Sequence, residues 1–205
     1  EKKMKVTLEN LTKIFPSRDK KSGKEVIGID YSPEMLMVAQ DHAYDEGVSI
    51  LYSMQNMAEF ELEGEVDVIC SCWDSINYLL EEEDVLSTFK QVNQYLAKDG
   101  LFIFDMNTRY KYAELLGETT ITESREEGSF IWENYFDEEE NINQYDLTLF
   151  IREEDDRYSK YEETHYQRVY DLEVVKQLLK EAGMEFVAAY DAFTKEPVRE
   201  DSERI

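Results

Sequence analysis

Apolar residues at Met4, Leu8, Leu11 and Phe15 recur at helical spacing and predict an amphipathic helix over residues 4–15. Residues 16–24 are polar and charged, carry Pro16 and Gly23, and read as a loop. Val26-Ile27-Gly28-Ile29-Asp30 is a short apolar run ending in an acid, the pattern of a buried parallel strand. Ser32 then offers an N-cap, Pro33 a first helical position and Glu34 a carboxylate in the first turn; this helix should run to about Glu46 and stop at Gly47. Val48–Tyr52 and Val66–Cys72 are further strand candidates. From Glu82 to Ala97, Val85, Phe89, Val92 and Leu96 form one stripe on a helix, with Gly100 closing the turn after it. Leu101–Asp105 is again apolar and again ends in an acid. Strands alternating with helices at this spacing predict right-handed crossovers and an α/β fold with a doubly wound, mostly parallel sheet.

Over residues 118–170 the period changes to two, as in Phe130/Trp132, Tyr145/Leu147/Leu149/Ile151 and Tyr161/Glu163/His165. Breaks at Glu127-Gly128, Asp137–Asn141 and Glu153–Asp156 predict three or four antiparallel strands with one apolar and one wet face. The expected organisation is therefore one domain of residues 1–117 and 171–205 with an antiparallel β insert at 118–170. Asp171 should cap a helix bearing Leu172, Val175, Leu178 and Leu179, with Gly183 past its end, and Glu185–Tyr190 returns to a strand pattern.

Composition narrows the function. The 205 residues include 22 Lys and Arg against 47 Asp and Glu, for a formal charge of −25. A surface this acidic repels phosphate backbones and anionic membranes, so neither a nucleic acid nor a membrane is expected as a partner. The hydrophobic fraction of 42% suffices for a core. Cys70 and Cys72 share one strand face with no second pair to complete a zinc site, and no metal is expected; reduced thiols suit a cytoplasmic protein.

Open α/β sheets bind ligands beyond the carboxyl ends of their strands, where an acid can accept both hydroxyls of a ribose. Asp30 stands at such an end, and Asn56, Asp74 and Asp105 follow the next three strands. Asp30 and Asp74 each have a plainer alternative as a helix cap. The ordered set Val26–Leu36, Gln55-Asn56-Met57, Asp67–Leu79 and Gly100–Asp105 resembles the class I S-adenosylmethionine-dependent methyltransferases, with their Rossmann-like fold. The antiparallel insert and Glu163–Arg168 resemble a bacterial branch similar to the sugar-amine N-methyltransferases. The likeness covers roughly residues 22–205.

That resemblance implies S-adenosyl-L-methionine as cofactor and a small-molecule methyl acceptor. It places Asp30 on the ribose, Tyr31 and Met35 beside the adenine or ribose, and Asn56 with the Met57 N–H on the adenine edge. It sets Cys72, Trp73 and Asp74 beside the methionine part, with Asn77, Tyr78 and Trp132 toward the acceptor. Trp73 as core, Asp74 as a cap and Cys72 as packing are the structural alternatives.

The family's glycine-rich loop should precede Val26 by roughly 20 residues, yet the only glycine before Val26 is Gly23, and no glycine pair exists there. Either Lys5–Leu8 is a degenerate first strand with Glu9-Asn10 in place of the loop, or the first strand and loop are missing between about Lys21 and Ser22. An expected last strand is likewise cut off at Ile205. In the insert, 16 acids against 5 basic residues would attract a cationic acceptor such as an amine, although a solvated face explains the same count. An amine must be neutral to attack, and imidazole titrates near neutrality, so His165 is the candidate base; its alternative is a structural role in the sheet. His42 is expected on a helix surface. Trp132, Tyr135 and Phe136 are either an apolar lid or, the better reading, the insert's own core. The exposed insert could also mediate a homodimer. A nicotinamide-dependent oxidoreductase would equally suit Asp30, but no GxGxxG supports it; a non-catalytic binding or assembly module is the remaining alternative.

Overall fold

A computed structural model describes residues 25–205. The helix expected over 4–15, the loop after it and the Lys21–Ser22 junction lie outside the described residues. The chain divides into two units. One reaches to Met106 and includes Leu172–Ala188; the other comprises Asn107–Asp171 and Ala189–Ile205.

The first unit is a Rossmann-like arrangement of parallel strand pairs joined by helices. Strand β1 (Ile27–Asp30) leads through helix α1 (Pro33–Asp45) to strand β2 (Leu51–Met54). The expected start signal is in place: Ser32 Oγ accepts the Met35 N–H at 3.2 Å, with Pro33 opening the helix. Gly47 ends it at φ 66°. β2 begins three residues later than the pattern predicts. The Val48 N–H is committed to the Ala43 carbonyl, so residues 48–50 belong to the exit from the helix. β1 and β2 pair in parallel from Ile27↔Leu51 to Asp30↔Met54. Gly28 lies beneath the Tyr52 ring, where a Cβ would come within 2.5 Å of ring carbon.

Strand β3 (Val66–Ser71), helix α2 (Glu82–Tyr95) and strand β4 (Leu96–Phe104) form the second crossover. Leu96, the last residue of the stripe on a helix expected to reach Ala97, has a double role. Its N–H donates to the Val92 carbonyl, and it pairs with Val66 across the sheet. The next pair is Val68↔Leu101, so residues 97–100 bulge out between them. The left-handed residue of this turn is Asp99 (φ 64°), while Gly100 is needed for close approach, a Cβ there meeting the Ala97 carbonyl at 2.8 Å. Among the described residues, the two strand pairs are not hydrogen-bonded to one another. They share one core of Ile29, Phe60, Val66, Ile69, Cys70 and Val92. Helix α3 (Leu172–Glu181) buries Val175, Leu178 and Leu179, and Gly183 follows it at φ 86°. The strand expected at 185–190 does not form: a strand needs a ladder, and this stretch has only the isolated Tyr190↔Pro197 bridge.

The second unit is built on an antiparallel sheet ordered β5 (Thr120–Ser124), β6 (Gly128–Asp137), β7 (Ile142–Arg152) and β8 (Tyr158–Arg168). Asn141 and Asp156 take left-handed conformations in its turns. A π-helical turn, Lys111–Leu116, contributes Tyr112 and Leu116 to a small core with Val169, and Trp132 and Phe136 pack against it. Tyr135 does not join them. Strand alternation turns it to the opposite face, where it is exposed.

Candidate active site

Asp30 and Asn56 lie at the same carboxyl edge of adjacent strands. Asp30 ends β1 opposite Met54, and its carbonyl accepts the Gln55 N–H at 3.0 Å, which sets Asn56 one residue beyond. The Asp30 side chain is fully buried, and its Oδ1 accepts the Ser32 N–H at 2.6 Å. Apolar side chains beside it face solvent: Tyr31 is 73% and Met35 41% exposed. A buried carboxylate flanked by exposed aromatic and thioether groups suits a ligand with hydroxyls at one end and a flat ring at the other. Asn56 Oδ1 accepts the Ala58 N–H at 2.9 Å, closing a turn of its own and leaving the carbonyl a second lone pair. Met57 is half-buried in that turn.

The end of β3 is more unusual. Trp73 (φ 62°) and Asp74 (φ 54°) are consecutive left-handed residues, neither of them glycine. Each carries a penalty of about 1–2 kcal/mol. Ser75 Oγ donates to the Cys72 carbonyl at 2.9 Å, and the Asn77 N–H to the Asp74 carbonyl at 3.0 Å. Asp74 occupies the cap position of the short turn Ser75–Tyr78, but its side chain makes no capping bond. Trp73 is half exposed rather than core, Asn77 is fully buried, and Cys72 is half-buried against the first unit's core. At the end of β4, Asp105 Oδ2 accepts the Asp74 N–H at 3.2 Å.

In the second unit, strand register sets His165 opposite Tyr145 and Glu163 opposite Leu147 on one sheet face. The imidazole stacks on Tyr145, and its Nε2 lies 3.1 Å from Glu163 Oε2. Trp132 meets Tyr145 edge-on at 5.7 Å. The same face carries a buried polar row. Lys111 Nζ donates to Asn107 Oδ1 (2.9 Å), Asn107 Nδ2 to the Tyr112 hydroxyl (2.9 Å), and that hydroxyl to Gln167 Oε1 (2.8 Å). Asn143 Nδ2 reaches Asn134 Oδ1 at 3.5 Å. No group of three or more metal-ligating side chains is found among the described residues, and none of their helices is long and apolar enough to cross a membrane.

Residues 14–100 match the family model described as a methyltransferase domain. A Geobacillus sp. (strain WCH70) protein named as a methyltransferase is 37% identical over 185 residues, spanning 90% of this chain and 75% of the relative. The chain belongs to the class I S-adenosylmethionine-dependent methyltransferases. A solved S-adenosylmethionine-dependent methyltransferase from Clostridium acetobutylicum ATCC 824 superimposes with a TM-score of 0.81 at 28% identity, over 87% of this chain and 71% of that one. A sugar N-methyltransferase from Streptoalloteichus sp. ATCC 53650 shares the fold, with a TM-score of 0.67 at 14% identity over 84% and 67% of the two chains. S-adenosyl-L-methionine is the cofactor of this methyltransferase, and its Rossmann-like α/β fold is the family's. The family's position for the glycine-rich loop lies outside the described residues.

The sequence singled out Asp30, Asn56, Asp74 and Asp105 through strand-end position. It gave no part to Tyr145, although the Tyr145 and His165 positions fall on one face once β7 and β8 are paired. It set Asp105 at the same kind of strand end as Asp74 but not in a hydrogen bond with it, since 31 residues separate them.

Proposed function

We propose that this methyltransferase transfers the methyl group to an amine of a small-molecule acceptor, and that the Asp30–Asn56 edge holds the adenosine of its cofactor. The observation that carries the reading is the buried Asp30 carboxylate tied through its own backbone to the Asn56 turn on the adjacent strand. In this reading Asp30 accepts the ribose hydroxyls, and Tyr31 and Met35 flank the nucleoside. Asn56 and the Met57 N–H take the adenine edge. Cys72, Trp73 and Asp74 border the methionine portion, and Asn77 and Tyr78 face the acceptor.

The cofactor supplies an electrophilic methyl group on a sulfonium. The protein's contribution is then alignment of the nucleophile and removal of its proton. His165 suits the second task. A carboxylate at Nε2 favours the tautomer with the proton there, so Nδ1 carries the lone pair, and the Tyr145 ring fixes the plane. Trp132 offers an aromatic surface to the acceptor. The acidic β sheet, with 16 acids against 5 basic residues over 118–170, raises the local concentration of a cationic amine. The Streptoalloteichus neighbour is itself named a sugar N-methyltransferase. The reading sets this chain's reaction in the cytoplasm, which suits the two cysteines, Cys70 and Cys72, not joined in a disulfide.

The test is calorimetry with S-adenosylhomocysteine, then a methyl-transfer screen of amino-sugar nucleotides and simple amines. Binding lost in Asp30→Ala and turnover with an amine are expected. Full affinity in that variant, or turnover confined to hydroxyl or carbon acceptors, overturns the respective half of the proposal.

A further inference from the structure

We propose that Asp105 is a positioning residue that holds the Trp73–Asp74 turn in its left-handed form and thereby fixes how this rim meets the cofactor. The role for the rim rests on the function proposed above.

A bulky residue at positive φ is rare, and two such residues in succession persist only where surrounding structure imposes them. The bonds from Ser75 Oγ to the Cys72 carbonyl and from the Asn77 N–H to the Asp74 carbonyl are internal to the turn and would move with it. Asp105 acts from outside. Its N–H donates to the Ser71 carbonyl at 3.1 Å, extending the β3–β4 ladder by one rung, so its Cα is fixed by the sheet. From there Oδ2 accepts the Asp74 N–H at 3.2 Å. The bond joins the ends of two parallel strands across the point where the backbone is most strained. It is also an amide bonded to a carboxylate, the stronger kind of hydrogen bond. Without it the turn can relax to right-handed backbone, which redirects the half-exposed Trp73 side chain and the Asp74 side chain after it.

The test compares Asp105→Ala and Asp105→Asn. Trp73 emission is read in a Trp132→Phe background, and S-adenosylhomocysteine affinity is read by calorimetry. Asp105→Ala is expected to shift Trp73 emission and weaken binding by about ten-fold or more. Asp105→Asn keeps an acceptor oxygen at the same reach and is expected to stay within about three-fold of the parent. Glycine at position 74 lowers the penalty of the left-handed backbone, so Asp74→Gly should shrink the further effect of Asp105→Ala on emission. If Asp105→Ala alone does not fold, the Asp74→Gly/Asp105→Ala pair should fold, and its failure overturns the proposal. Unchanged emission and affinity in Asp105→Ala, or an Asp105→Asn variant as impaired as Asp105→Ala, also overturns it. If the parent protein itself fails to bind S-adenosylhomocysteine, the functional reading fails, while the emission shift still decides the role of Asp105.

Discussion

The imidazole of His165 lies flat on the ring of Tyr145, with centroids 4.6 Å apart and planes 12° from parallel, while Glu163 holds its Nε2. A ring fixed on one face and at one nitrogen has its second nitrogen aimed in a set direction. His165→Ala should therefore lower turnover about 100-fold, in the range of a lost general base, with S-adenosylhomocysteine affinity unchanged. Glu163→Gln, which loosens the orientation only, should lose less. Steady-state kinetics with an identified acceptor checks both, and full turnover in His165→Ala would remove the base role.

Asp30→Asn retains the side-chain shape and the oxygen that accepts the Ser32 N–H, but loses the charge. A hydrogen bond to a charged group contributes about 1.5–3 kcal/mol, so cofactor affinity should fall roughly ten- to hundred-fold by calorimetry. Thermal stability should change little, since the helix cap at Ser32 remains.

Gly28→Ala sets a methyl group where the Tyr52 ring already lies. Tyr52 also donates its hydroxyl to the Ala39 carbonyl at 3.0 Å, so the ring cannot swing aside without breaking that bond. The substitution should destabilise the protein by about 1–3 kcal/mol in urea titrations, and Tyr52→Leu in the same chain should recover part of the loss.

Tyr112→Phe removes the hydroxyl that accepts from Asn107 and donates to Gln167, leaving two buried amides short of a partner. A loss of about 1–3 kcal/mol is expected, seen as a lower denaturant midpoint with an unchanged slope.

Asp201 is held below the ordinary aspartate range, first by its hydrogen bond from Arg199 and then by that residue's charge. A depressed carboxyl favours the folded tail above the ordinary aspartate pKa of about 3.9, and that contribution fades as the pH drops through the lower folded value. In an NMR titration Asp201 should therefore protonate later than a free aspartate during acidification. Arg199→Ala should return it to the ordinary range.

The legible parts of this fold are those written in local chemistry. Ser32-Pro33-Glu34 and Gly47 bracket α1, and alternation over 118–170 yields four paired strands. The illegible parts depend on partners distant in the chain. Leu96 satisfies a helical stripe and a strand ladder equally, and only Val66 decides that it opens β4. Residues 185–190 alternate like a strand but meet no ladder. Nothing about a tryptophan announces left-handed backbone, so the Trp73 turn was invisible, as was its tether to Asp105. Asn56 was legible as a strand-end acceptor but not as the side chain that closes its own turn onto Ala58.

The amides buried on the sheet face of the second unit have a consequence for how its strands find one another. A slip of one residue between β6 and β7 would turn Phe130, Trp132 and Phe136 away from the face they share with Tyr145 and Leu147, and is rejected at once. A slip of two keeps the alternation intact, and hydrophobicity alone tolerates it. In the direction that sets Asn134 opposite Leu147, such a slip would part Asn134 from Asn143 and strand its amide against a leucine side chain. This pair of amides thus acts as a key: it contributes little adhesion, but it makes the native alignment of an otherwise repetitive ribbon distinguishable from the one slipped in that direction.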